Sequence, residues 1–142
     1  MQNIYHDIIF HLSNKPHNYG VLVDATHDHT ELNMLCGDEV RVMMRFSENT
    51  TLCEEITFIG YGCAVMKASA SMMTDTFKGC TSDEIKQLIE SFTNFLHNTS
   101  HDTSHNITQD SPLRAFEGIK QFPARTKCAL LPWKAAIKAI SF

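Results

Sequence analysis

Four residues in three separate stretches have side chains that could act on one metal ion. Cys36 and Asp38 stand together in LNMLCGDEV (32–40), Cys63 in GYGCAV (60–65) and Cys128 in ARTKCAL (124–130). Residues two apart in an extended segment project to the same side, so the Cys36 thiol and the Asp38 carboxylate could reach one ion, with Gly37 letting the backbone come close. Each cysteine taken singly also reads as a packed apolar residue, because free cysteine is among the most buried residue types. Together, three thiolates and one carboxylate suit tetrahedral zinc. The chain has no Cys-x-x-Cys pair, which argues against a zinc ribbon. Arg125 and Lys127 flank Cys128. Cations beside a thiolate lower its pKa and can tune ligand exchange; the alternative is that they are two charges on a solvated helix face.

The remaining candidates read as packing or solvent. The chain has five cysteines, and an odd count argues against a disulfide framework. Cys53 and Cys80 are read as packed or surface residues. His97, His101 and His105 are spaced by four and could share a helical face, but their Ser/Thr/Asn-rich surroundings favour a solvated loop. His27 and His29 are read the same way, and Met72 and Met73 as helix packing.

The elements that must carry these residues follow from periodicity. Ile4, Ile8, Ile9 and Leu12 predict a short amphipathic helix over residues 3–12, ended by Pro16 and Gly20. Residues 21–35 are polar and aperiodic, and are expected to form a loop running into Cys36. Val40, Val42, Met44 and Phe46 alternate with Arg41, Met43 and Arg45, a half-buried strand. After the turn at 47–49, Ile56 to Tyr61 predicts a second strand, antiparallel because the connection is short. A short third strand is expected around residues 63–66. ASASMMTDTFKG (68–79) reads as a helix stopped by Gly79. Thr81 and Glu84 have capping-box spacing ahead of a helix bearing Ile85, Leu88, Ile89, Phe92 and Leu96. Residues 97–110 read as an inserted polar loop. Ser111-Pro112 opens a short helix with Leu113, Phe116 and Ile119. Pro123 is expected to open the turn that carries Cys128, and Pro132 a last helix with Trp133, Ile137 and Ile140 inward. A helix, then strands, then only helices means α+β.

Composition narrows the function classes. The chain has 142 residues and a net charge of -4, one domain (1–142) by the length prior. The acidic balance argues against nucleic-acid binding. No run approaches the roughly 20 apolar residues of a membrane span. The N-terminus shows no signal-peptide pattern, so the expected location is the cytoplasm, and the sequons at Asn49, Asn98 and Asn106 are chance matches.

The motifs also carry a resemblance. LNMLCGDEV (32–40), FIGYGCAVMKASASMMTD (58–75) and FPARTKCALLPWKA (122–135), in that order, with IYHDIIFH near the start, resemble the IscU/SufU family of iron–sulfur cluster assembly proteins. Departures point to the SufU branch. Lys127 stands where the IscU branch has a histidine before the last cysteine. Phe122-Pro123-Ala124-Arg125 stands where that branch carries Leu-Pro-Pro-Val for its chaperone. The stretch between Cys63 and Cys128 is long, with a polar insertion at about 97–115. Met34 replaces a usual proline, with a small local effect expected.

The resemblance implies an IscU-like fold, a small three-stranded antiparallel sheet packed against helices. It implies zinc held by Cys36, Asp38, Cys63 and Cys128. It also implies a pyridoxal-phosphate cysteine desulfurase (SufS-like) as sulfur donor, and a downstream scaffold or apo-protein as sulfur acceptor. By analogy with the SufU branch, Cys36 takes the persulfide while a desulfurase histidine replaces it on zinc; Cys128 is the second candidate, as in the IscU branch. A SufU-like chain would be a sulfurtransferase. An IscU-like chain would be a non-enzymatic scaffold for a 2Fe–2S cluster, with iron in place of zinc. Purely structural zinc in a partner-binding module is the remaining reading.

Overall fold

The computed structural model describes residues 2–49, 51–97, 107 and 111–141. Helix α1 (Gln2–Asn14) leads to three strands, β1 (His27–Asn33), β2 (Asp38–Phe46) and β3 (Cys53–Tyr61). Then come α2 (Ala64–Phe77), α3 (Ser82–His97), a 3-10 helix (Pro112–Ile119) and α4 (Pro123–Ile140). The strands form one antiparallel sheet in the order β1-β2-β3. This is the expected α+β architecture with a three-stranded sheet, but one strand differs from the expectation.

The third strand is β1, not residues 63–66. No hydrophobic period runs through 21–35, which is why its sequence predicts a loop. The alternation is present but polar: His27, His29, Glu31 and Asn33 are half-buried, while Asp28, Thr30 and Leu32 are exposed. The half-buried side makes polar contacts. Lys138 Nζ on α4 donates to both Glu31 oxygens at 3.0 and 2.8 Å, and His29 Nε2 lies 3.0 Å from Glu31 Oε1. The backbone pairs along β2 from His27–Met44 to Asn33–Asp38. Burial pushes the Glu31 carboxyl up, but the hydrogen bonds from Lys138 and His29 together outweigh it and hold the group below its ordinary 4.5. A carboxyl lowered on folding stabilises above its unfolded pKa, and that contribution is lost as pH falls through the folded value. Lys138→Met is therefore expected to cost under about 1 kcal/mol at pH 7. The gap from the parent should close below pH 4.5, as read by urea melts across that range.

The segment after Cys63 is helical because Ala64 to Phe77 is rich in small and unbranched residues. Val65, Met66 and every residue from Ala68 to Thr74 are buried, so α2 is enclosed on nearly all sides. Gly79, at φ +85, follows its last turn in the left-handed conformation that favours glycine. The Thr81–Glu84 box forms as expected: Glu84 N donates to Thr81 Oγ1 at 3.1 Å, and Thr81 N to Glu84 Oε1 at 2.9 Å. Ile85, Ile89, Phe92, Phe95 and Leu96 are the buried face of α3, with Leu88 half-buried. Ser111 caps the next element through Leu113 N, but that element is a 3-10 helix.

Two further expectations need correcting. Cys128 sits not on a turn but inside α4, which runs through Pro132 instead of starting there. An interior proline removes one ladder hydrogen bond, but α4 is buried from Thr126 through Trp133 apart from Lys127, so packing holds it. Met43 was expected to point outward. It is fully buried, because the chain after α1 crosses its face, with Leu22 N 3.5 Å from its sulfur. The same segment covers the free edge of β3, where Gly20 N donates to Phe58 O and Phe58 N to Asn18 O. Of the inserted polar segment, residues 98–106 and 108–110 lie outside the described residues, and His101 and His105 with them.

Candidate metal centre

The β1–β2 turn presents the first pair of candidate ligands. Asn33 organises it: its carbonyl accepts from Gly37 N at 2.8 Å and its side-chain oxygen from Leu35 N at 3.1 Å. Gly37 lies at φ +78, between Cys36 and Asp38. That left-handed conformation strains any residue with a Cβ, so the glycine is what lets the chain turn between the two. Cys36 is exposed, whereas Asp38, the first residue of β2, is only 4% exposed.

The second contribution comes from the junction of β3 and α2. Cys63 is the N-cap of α2, and its backbone N donates to Asp38 Oδ1 at 3.3 Å. A Cβ on Gly62 would lie 2.8 Å from Asp38 Cγ and 2.9 Å from Oδ1. Only a glycine lets this backbone close on the carboxylate. The other carboxylate oxygen, Asp38 Oδ2, is buried without a hydrogen-bond partner among the described residues, a costly condition for a charged group.

Cys128, buried on α4, completes the cluster. The candidate ligand atoms of Cys36, Asp38 and Cys128 all lie within 4.8 Å of one another. No other group of three His, Cys, Asp or Glu ligand atoms among the described residues is close enough for one ion. Cys63 does not belong to that tightest set, but it touches the cluster twice, through its backbone to Asp38 and through its thiol to Cys128. Burial pushes the Cys128 thiol well above its ordinary range, and the adjoining Cys63 thiol and Asp38 carboxylate push it further. Acidic donors thus converge on a buried aspartate, one of whose oxygens lacks a partner among the described residues. Soft thiolates with one carboxylate suit zinc or iron rather than magnesium or calcium. On its donor chemistry, its unpartnered oxygen and its glycine cradle, the site fits such an ion.

The other candidates lie elsewhere. Arg125 and Lys127 are exposed near the start of α4 and form no ion pair among the described residues. Cys53 is buried at the opposite end of β3, its thiol pushed up to about 12 chiefly by burial, and donates to Glu55 O. Cys80 donates to Thr76 O. His27 stacks edge-on against Phe46, with ring centroids 4.9 Å apart. Sequence reasoning missed the apolar rim: Leu32, Met34, Leu35, Tyr61 and Phe122 are all exposed on segments that carry or adjoin the candidate ligands. Leu32 and Tyr61 both pair with Glu39, so they share one cross-strand row. The available signal was that these apolar residues flank the cysteines in otherwise polar turns.

Comparison with known proteins gives the chain's family and relatives. The family described as NifU-like N terminal domain matches residues 4–129. The chain is 32% identical over 141 residues to the zinc-dependent sulfurtransferase SufU of Bacillus subtilis, covering 99% of this chain and 92% of that protein. It is 30% identical over 140 residues to the iron–sulfur cluster assembly scaffold protein IscU of Streptococcus pyogenes, covering 99% and 84%. A crystal structure from Fervidobacterium islandicum, described as an iron–sulfur cluster assembly scaffold protein for the SUF system, superposes with a TM-score of 0.81 at 29% identity, covering 98% of each chain.

Proposed function

The chain belongs to the NifU-like N-terminal domain family, and we propose that it is a zinc-dependent sulfur acceptor in iron–sulfur cluster biogenesis, taking persulfide sulfur from a pyridoxal-phosphate cysteine desulfurase. The observation that carries this reading is the convergence of Cys36, Cys128 and a buried aspartate, Asp38, one of whose carboxylate oxygens has no hydrogen-bond partner among the described residues. Cys63, whose thiol adjoins Cys128, is the fourth ligand of the proposal. The similarity to a zinc-dependent sulfurtransferase supports zinc as the ion.

When bound, zinc holds thiols as thiolates at neutral pH without redox chemistry of its own. The protein's residues divide the remaining work. Asp38, Cys63 and Cys128 are the buried or half-buried anchors, and Cys36 is the exposed member. The Cys36 sulfur attacks the outer sulfur of the donor's persulfide. One S–S bond forms and one breaks, the donor cysteine leaves as a thiolate, and no external oxidant or reductant is consumed. Exposure favours Cys36 over Cys128 as acceptor. The apolar rim of Leu35, Tyr61 and Phe122 is where the donor docks. Arg125 and Lys127, three residues and one residue before Cys128, are the cations that the proposal gives a part in tuning ligand exchange. Five cysteines with no disulfide among them are in keeping with a reducing compartment such as the cytoplasm, and no described helix is long and apolar enough to cross a membrane.

The test is the alanine-forming rate of a cysteine desulfurase titrated with the zinc-loaded protein. Saturable acceleration that is lost on zinc removal and in Cys36→Ala is the expected result. Acceleration that survives Cys36→Ala but not Cys128→Ala would move the acceptor to Cys128. The similarity to a scaffold protein favours a second reading, assembly of a 2Fe–2S cluster on the same thiolates. Acceleration only with ferrous iron bound, followed by cluster transfer to an apo-ferredoxin, would establish that reading instead.

A further inference from the structure

Cys128 occupies a helix with a defect at its own position. In an α-helix the carbonyl of one residue accepts from the N–H four residues on. For Cys128 that residue is Pro132, which has no N–H and whose ring crowds this same carbonyl. The ladder of α4 is therefore interrupted at the backbone of a proposed ligand. The next carbonyl, that of Ala129, receives an additional bond from outside the helix. Ser69 Oγ on α2 donates to it at 2.6 Å, and Trp133 Nε1 donates to Ser69 Oγ at 2.8 Å. Ser69, Ala129 and Trp133 are all fully buried. The hydroxyl's single donor is thus committed to Ala129, with Trp133 as its donor in turn. Trp133 is itself fixed, stacked on Phe92 with ring centroids 4.3 Å apart and edge-on to Phe77 at 5.1 Å.

The two helices joined by this chain are the two that carry the deeper thiols. Cys63 caps α2, the helix of Ser69, and Cys128 precedes Ala129 on α4. We infer that Ser69 is a positioning residue for the metal centre: its hydrogen bond to the Ala129 carbonyl, backed by Trp133, sets where Cys128 stands relative to Cys63 and replaces the tether that Pro132 removes from the Cys128 backbone. The inference rests on the zinc reading above. It adds that the centre's geometry is fixed from beneath, through the helix pair, and not by the ligand-bearing loops alone. Tethers behind the ligands of a metal site are typically worth 10–100-fold in affinity.

The experiment compares zinc affinity, by competition with a chromophoric chelator, and the visible spectrum of the cobalt-substituted protein. Ser69→Ala is expected to lower zinc affinity roughly 10–100-fold and to change the thiolate-to-cobalt absorption. Pro132→Ala in the Ser69→Ala background gives back an N–H to the Cys128 carbonyl, and should recover much of both. If Ser69→Ala fails to fold, Trp133→Phe removes the donor behind Ser69 while keeping most of the packing, and should shift both readouts the same way by less. Parental affinity and spectrum in the folded variant would overturn the inference while leaving zinc in place. So would a loss that Pro132→Ala does not restore and that a lowered apo-protein melting temperature fully accounts for. If the parent protein itself bound neither zinc nor cobalt, the zinc reading would be what failed.

Discussion

Zinc added to the metal-free protein at about a thousand times its dissociation constant is expected to raise the unfolding free energy by about 4 kcal/mol. For a chain of this length that is on the order of 10 °C in melting temperature. The physical reason is the state of the cluster without a cation. Asp38 is buried with one oxygen unpartnered among the described residues, the Cys128 thiol adjoins it, and the Cys63 thiol adjoins that of Cys128. Folding gathers these acidic donors before anything offsets their mutual cost, and an ion that binds only the folded arrangement returns the whole of its binding energy as stability. The increment should vanish in Cys128→Ser, since a hydroxyl is a poor substitute for a thiolate on zinc, and should shrink strongly in Asp38→Ala. It should persist in Cys80→Ala, whose sulfur is engaged with Thr76 away from the cluster. Differential scanning fluorimetry with and without zinc reads all four proteins. An equal increment in parent and Cys128→Ser would place the bound zinc somewhere other than this cluster.

That experiment also separates the tightest trio from its neighbour. Cys36, Asp38 and Cys128 stand within 4.8 Å of one another, while Cys63 reaches the group through Asp38 Oδ1 and the Cys128 thiol. Whether an ion takes three ligands or four turns on the Cys63 thiol, which stands on the N-cap of α2. If zinc uses all four, Cys63→Ser loses as much of the increment as Cys128→Ser. Among the candidate ligands, the exposed Cys36 is the one whose loss should cost least, because solvent can fill its place.

How far the sequence could foretell this arrangement depended on which physical signal each part carries. The convergence of Cys36, Asp38 and Cys128 was legible because its residue types are chemically distinctive: Cys-Gly-Asp in one turn, and a further cysteine just after two cations. The α3 helix was legible because its buried face and its Thr81–Glu84 box are both local. β1 was not, because its alternation is written in histidine, glutamate and asparagine, and what half-buries them is α4, far away in the chain. The run of α4 through Pro132 was hidden for a related reason. A proline rule applied locally ends the helix, whereas burial on nearly every side keeps it going. Gly62 carried a readable hint of backbone freedom, but its actual role, the close approach to Asp38, exists only once β2 and α2 are side by side.

Trp133→Ala is expected to be the most damaging single change in the core, costing about 3–5 kcal/mol out of a total that for such domains runs about 5–15 kcal/mol. Trp133 is fully buried at the meeting point of α2, α3 and α4. Its removal leaves a cavity lined by Phe92 and Phe77, strips the only described donor from the Ser69 hydroxyl, and so loosens the bond to Ala129 beside Cys128. Trp133→Phe keeps most of the packing and loses the N–H, so it should cost clearly less. Urea unfolding of the metal-free forms gives both costs. The zinc increment then tells packing from positioning. If Trp133 only fills space, zinc restores the alanine variant by the same 4 kcal/mol or so that it gives the parent at equal saturation. If Trp133 also helps to place Cys128, the dissociation constant rises and the same zinc concentration restores less. A Trp133→Ala protein that unfolded with the parent in urea would mean that the sheet alone holds α4. The link between this aromatic core and the metal centre would then be lost.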